Sequence, residues 1–214
     1  MVDALSRSPH FLNDIGRDAR VLLGNAEQLT RETHAADFIL TSPPYCTRID
    51  YGAFTLPELA ILGMNPLTTG AEFRRRLMGT CTINNCMDAP TNEWGNTCLH
   101  LIELIESHNS KAARSYYLKQ YLQYFTSLSR SIKSISKVLK AKGRLCLVVQ
   151  DSYFKDIHVD LPKITIEMCK HWGLAVRMQV QFPVKTTISQ TNTHHRRYLS
   201  NSKPSEHVLY FTRE

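Results

Sequence analysis

The stretch from Ala36 to Gly52, ADFILTSPPYCTRIDYG, decides how this chain of 214 residues is read. Asp37 to Leu40 is too short for a helix and too apolar for a surface loop, so it predicts a buried strand of an α/β sheet. Pro43 and Pro44 then end that strand. Neither has an N–H, and Pro44 drives Pro43 out of the α region, so the chain turns in an extended form with its carbonyls available as acceptors. In open α/β sheets ligands bind beyond the carboxyl ends of the strands. Ser42 Oγ, the proline carbonyls and the Tyr45 ring are therefore expected together in one crevice, shaped for a flat group that carries an NH2. The plainer alternative is that Pro-Pro only terminates a strand.

The tetrapeptide Ser42-Pro43-Pro44-Tyr45 resembles the catalytic Asp/Asn/Ser-Pro-Pro-Tyr/Phe of the S-adenosylmethionine-dependent amino-methyltransferases, which methylate exocyclic amines of DNA bases. Serine in the first place is the version typical of the cytosine-N4 branch. ARVLLGNAEQL (Ala19 to Leu29) is similar to the strand and turn that precede this tetrapeptide in the family, and GRLCLVVQDS (Gly143 to Ser152) to the family's next core strand. The likeness thins over Asn65 to Ser110. The resemblance implies an α/β fold: a partial Rossmann-like class I methyltransferase sheet with flanking helices and a C-terminal antiparallel strand pair. It also implies catalytic roles for Ser42, Pro43, Pro44 and Tyr45, and contacts from Asn25 and Ala26 to the adenine of S-adenosylmethionine. An ordinary Gly-Asn turn at Gly24-Asn25 is the competing reading. Arg48, Asp50 and Tyr51, just past the corner, are substrate-binding candidates.

The composition, 43% hydrophobic and 21% charged, is that of a soluble globular chain rather than a disordered one. One domain carrying an insertion is expected over residues 1–214. No apolar run approaches membrane-spanning length, and MVDALSRSPHFLNDIG lacks the apolar core of a signal peptide, so a cytoplasmic location is expected. A formal net charge of +7 suits a polyanionic partner without identifying one. The six cysteines show no paired zinc-ribbon spacing and are read as reduced thiols. Cys81, Cys86, Cys98 and His100 match no common zinc module, so no metal is assigned.

Along the chain, Arg20 to Leu23 reads as a strand ending at Gly24-Asn25. Thr55 to Leu62 reads as a short helix with Thr55 as its N-cap. The region 65–110 looks like an insertion overhanging the crevice, with a basic run at Arg74-Arg75-Arg76, Trp94, and an apolar helix from Cys98 to Ile105. The arginines suit either phosphate contacts or a solvated helix face. Lys111 to Lys140 repeats apolar residues at three- and four-residue steps, which predicts a sheet-covering helix closed by Gly143. Its tyrosines have the spacing of a core face rather than a base-stacking ladder. Leu145 to Val149 is the next strand and delivers Asp151, a further substrate-binding candidate, to the same carboxyl edge as Ser42. A helix over Asp160 to Trp172 stopped by Gly173, a strand over Leu174 to Phe182 and a returning strand over His207 to Thr212 complete the chain. The loop between those strands, 183–206, carries Lys185, His194, His195, Arg196, Arg197, Tyr198 and Lys203. Loops of that length in a compact domain are mostly functional or disordered, and His194, His195, Arg196 and Arg197 are its DNA-binding candidates.

No FxGxG-like or GxGxxG-like element follows any strand. The family's cofactor loop is absent, and so are the first two strands of its sheet. The chain is therefore expected to be the catalytic half of a split enzyme or a fragment, with S-adenosylmethionine bound largely by a second polypeptide that supplies the glycine-rich motif. The resemblance implies that Tyr45 stacks on a flipped base while Ser42 and the Pro43 carbonyl hold its amine. Cys46 suggests the thiolate route of carbon-5 methylation, but that route needs a Pro-Cys step and Tyr45 intervenes. Two rivals stay open: an RNA amino-methyltransferase, and a non-catalytic DNA-recognition subunit of a methyltransferase complex.

Overall fold

The computed structural model describes residues 24–29, 34–47, 49–61, 63, 70–83, 88–184 and 204–214. The strand expected at Arg20 to Leu23 and most of the basic loop, 185–203, lie outside the described residues, as does Arg48.

The chain order is β1 (Ala36–Thr41), three short helices α1 (Tyr51–Phe54), α2 (Leu56–Ile61) and α3 (Gly70–Arg75), a 3-10 turn (Asn92–Trp94), α4 (Asn96–Ser107), a π turn (Ala113–Tyr117), α5 (Leu118–Val138), β2 (Leu139–Gln150), the hairpin β3 (Ser152–Phe154) and β4 (Ile157–Val159), α6 (Leu161–His171), β5 (Leu174–Pro183) and β6 (Ser205–Arg213). Four strands make one mixed sheet in the order β1-β2-β6-β5. β1 runs parallel to β2, while β6 is antiparallel to both of its neighbours. The expected α/β architecture is present, with helices against the sheet and a C-terminal antiparallel pair.

Period-two alternation along β2 and β6 sets the two faces of the sheet. Leu145, Leu147 and Val149 of β2 and Leu209 and Phe211 of β6 are buried against the helical layer of α5, α6 and α4, each contributing roughly 1.5–3 kcal/mol by burial. On α5, Tyr121, Tyr124, Phe125, Leu128, Ile132 and Ile135 supply that layer, so the tyrosines are core, as their spacing predicts. On α6, the Asp160 carboxylate accepts the Lys163 N–H and Gly173 leaves the helix at φ +73.

Four expectations need correction. β1 is the edge of the sheet among the described residues rather than a buried strand: Phe38 is 49% exposed and Leu40 66%, because their face of the sheet carries no helix among the described residues. Met178 and Phe182 of β5 share that face through the register and are exposed too. The helix over 111–140 ends at Val138 and β2 starts at once, so Gly143 lies inside a strand, where a Cβ would come within 2.7 Å of the Lys140 carbonyl. α2 begins directly after Thr55, whose carbonyl accepts the Leu59 N–H as an N-cap does, but the Thr55 hydroxyl turns back to the Tyr51 carbonyl of a preceding helix, α1, instead of capping α2. Within the stretch read as an insertion, α4 is core: Cys98 and Ile105 are completely buried.

Candidate active site

The corner sits where the carboxyl ends of β1 and β2 meet the start of β6. Ser42 follows directly on β1, and its Oγ donates to the Val148 carbonyl of β2 at 3.1 Å. A serine hydroxyl has one proton and two lone pairs. With the proton held by the sheet, the lone pairs are what Ser42 presents. Ser42 is exposed while Pro43, Pro44 and Tyr45 are half-buried. The Pro43 carbonyl has no protein partner among the described residues. The Pro44 carbonyl, expected to be available, accepts the Tyr124 phenol at 2.7 Å. That bond ties the corner to the first half of α5.

Tyr45 is held at both ends. Its backbone N–H donates to the Tyr51 hydroxyl at 3.1 Å, and its own hydroxyl donates to Glu206 Oε1 at 2.7 Å. Burial, then the Glu206 carboxylate, pushes the Tyr45 phenol up to about 12, with Ser42 working the other way. The ring stays neutral at physiological pH. Burial also pushes the Cys46 thiol well above its usual range, so no thiolate stands beside the corner.

A shelf over the corner is built from the segment after α3. Gly79, at φ +75, lies where a Cβ would meet Pro44 at 3.2 Å and the Tyr51 ring at 3.3 Å. Tyr116 donates to the Cys81 carbonyl at 3.0 Å and Gln123 to that of Thr82 at 3.2 Å, which fastens the shelf to the π turn and α5.

The remaining candidates are distributed differently. Asp50 caps α1 by accepting the Ala53 N–H at 3.1 Å and is ion-paired with Arg74, so its carboxylate is engaged in holding α1 to α3. Burial acts to raise its pKa, but Arg74 and the Ala53 N–H overcome this and hold it below the usual carboxylate range. Asp151 does reach the carboxyl edge, where it is buried: one oxygen accepts the Ser205 N–H and the other faces His158 Nε2 at 3.0 Å. It staples the start of β6 to the end of β2. Asn25 and Ala26 lie in an exposed turn bound to the second half of α5, through Leu29 N–H to Ser134 Oγ at 2.9 Å and Glu27 to Arg130 at 3.6 Å. The corner is bound to the first half of that helix. His194, His195, Arg196, Arg197 and Arg48 lie outside the described residues.

Glu206 was not among the sequence candidates. Read as a strand, its neighbours point only to an apolar core, and the signal that would have found it is the antiparallel return. That return pairs Glu206 with Gln150 and so brings it to the carboxyl end of β2. No group of three or more metal-ligating side chains forms among the described residues, and no helix there is long and apolar enough to cross a membrane.

The corner thus unites the Ser42 hydroxyl, a carbonyl with no partner among the described residues and an anchored aromatic ring. A Type II methyltransferase, M.AvaI, of Nostoc sp. is 25% identical over 176 residues, 76% of this chain and 36% of its own length. The chain is similar to a Type II methyltransferase. M.AvaI of Anabaena variabilis matches to the same extent, so the chain spans about a third of the length of the curated relatives it matches. No family model matches. Among solved structures, a protein described as a DNA modification methylase of Thermus thermophilus, complexed with S-adenosyl-L-methionine, aligns over 89% of this chain and 54% of its own, with 14% identity and a TM-score of 0.46. An M1.HpyAVI complex with the same cofactor aligns over 82% of this chain and 56% of its own, with 11% identity and a TM-score of 0.25.

Proposed function

We propose that this chain carries the amine-binding half of an S-adenosylmethionine-dependent DNA methyltransferase, acting on cytosine N4 by first choice and adenine N6 by second. The observation that carries the reading is the Ser42 hydroxyl, whose proton goes to the Val148 carbonyl, leaving lone pairs beside the Pro43 carbonyl to accept the two N–H groups of an exocyclic amine. Tyr45 supplies a neutral, anchored ring against which a flipped base stacks. The bound cofactor supplies an electrophilic methyl group. Ser42 and the Pro43 carbonyl would hold the amine nitrogen in line for that methyl group while Tyr45 held the base. Ser42 is not a base in this scheme; it aligns the amine, and positioning of this kind lowers a barrier by roughly 7 to 11 kcal/mol.

The cofactor does not fit this chain alone. No glycine-rich turn follows a strand anywhere in the sequence, and the one turn offered for adenine, Asn25-Ala26, lies along α5 away from the corner. A second polypeptide, or a fused half, completes the enzyme. The sheet face at Phe38 and Leu40, exposed and without a covering helix among the described residues, supports that reading, since strands paired in parallel normally lie buried on both faces. The test is methylation of DNA and of RNA oligonucleotides by the chain with and without a glycine-rich partner, with products analysed by mass spectrometry. N4-methylcytosine in DNA, formed only by the pair, is expected; 5-methylcytosine, or modification confined to RNA, overturns the reading.

A further inference from the structure

Within the tetrapeptide both side-chain hydroxyl protons already have a protein acceptor. Ser42 gives its proton to the Val148 carbonyl, and Tyr45 gives its proton to Glu206. The second Glu206 oxygen has no partner among the described residues, and a carboxylate accepts without donating. What the side chains of Ser42, Tyr45 and Glu206 offer a ligand is therefore acceptors only. A base edge bearing an amine matches that surface, whereas one bearing a carbonyl oxygen meets lone pairs. We propose that Glu206 is a positioning and specificity-determining residue: by taking the Tyr45 phenol proton it fixes the ring and confines the corner to bases that carry an exocyclic amine.

The placement follows from topology. β6 runs antiparallel to β2, so its first residues arrive at the carboxyl end of β2, and Glu206 pairs there with Gln150 on one side and Phe182 on the other. Neighbouring bonds hold it in register. The Ser205 N–H is accepted by Asp151, and the Ser205 hydroxyl accepts Gln181 at 2.9 Å. His207 is held by Gln179 at 3.1 Å. A carboxylate carried on so firmly registered a strand gives the phenol proton its acceptor, and without it the hydroxyl is free to turn and donate to a carbonyl.

The inference rests on the amine-methylation reading, so the test separates the two. In tyrosine labelled with 13C at Cζ, the Tyr45 resonance, assigned with Tyr45→Phe, should move in Glu206→Ala and move less in Glu206→Gln, which keeps an acceptor oxygen. Binding of oligo(dC) is compared with that of oligo(dU), whose bases carry oxygen in place of the amine. The wild-type chain should prefer oligo(dC). Glu206→Ala should lower that preference at least about tenfold, the scale of a mismatched buried hydrogen bond, and Glu206→Gln should keep most of it. In a Tyr45→Phe background Glu206→Ala should lower the preference far less than it does alone, because no phenol proton remains to be released. An unmoved Tyr45 resonance, or a preference unchanged in Glu206→Ala, overturns the role of Glu206 alone. A wild-type chain with no preference for oligo(dC) removes the amine reading itself, and this inference with it.

Discussion

Ser42 and Tyr45 have separable tasks, and their variants should fail differently in the completed enzyme. Ser42→Ala deletes the lone pairs that meet the amine as its nitrogen changes geometry, so turnover should fall with little change in base capture. Tyr45→Ala removes a stacking surface worth roughly 1 to 3 kcal/mol, so capture should weaken as well. Single-turnover methylation read beside 2-aminopurine fluorescence distinguishes the two, and full activity in Ser42→Ala would sink the mechanism. The likeness of Ser42-Pro43-Pro44-Tyr45 to a catalytic corner was legible in the sequence because proline constrains its own backbone and that of its predecessor. Which way Ser42 turns its proton was not legible, because the acceptor, Val148, lies 106 residues away.

Among the elements, α1 and α3 carry the shelf over the corner, and the Asp50–Arg74 pair joins them. The folded Asp50 is held below the usual carboxylate range. A depressed carboxylate contributes stability that is complete above the unfolded value of about 3.9 and is lost as pH falls through the lower folded value. Asp50→Asn should therefore destabilise the chain at pH 6 and flatten the loss between pH 5 and pH 2; denaturant midpoints across that range check this, and parallel pH profiles for variant and wild type would refute it. Tyr124→Phe strips the Pro44 carbonyl of its only described donor, and a loss of about 1–3 kcal/mol is expected for the orphaned acceptor. Urea unfolding measures it. Helical spacing over 118–138 and the punctuation of α6 by Asp160 and Gly173 made those helices readable, since each signal is local. The end of α5 was misread at Gly143 because that glycine serves a close approach of backbone to backbone, which spacing does not reveal.

For the whole molecule, the sheet has an apolar face open at Phe38, Leu40, Met178 and Phe182. This face and the absent glycine-rich turn lead to one expectation: the isolated chain should bind S-adenosylmethionine weakly or not at all by calorimetry. A micromolar dissociation constant for the lone chain would end the split-enzyme reading. The basic loop gives another expectation, since Arg196→Ala with Arg197→Ala should weaken DNA binding and flatten its salt dependence by about 0.9 for each phosphate left without its cation. Unchanged affinity and slope would take the loop off the DNA. By itself the sequence determined the sheet strands β1, β2, β5 and β6, the long helices and the turn at the prolines, because periodicity, caps and proline geometry act over a few residues. Only the tertiary structure decided that β1 is the edge among the described strands, that Asp50 and Asp151 hold elements together, and that Glu206 stands beside Tyr45. The reason is that strand order and antiparallel return bring together residues as distant as Tyr45 and Glu206, 161 positions apart, and no local pattern encodes that meeting.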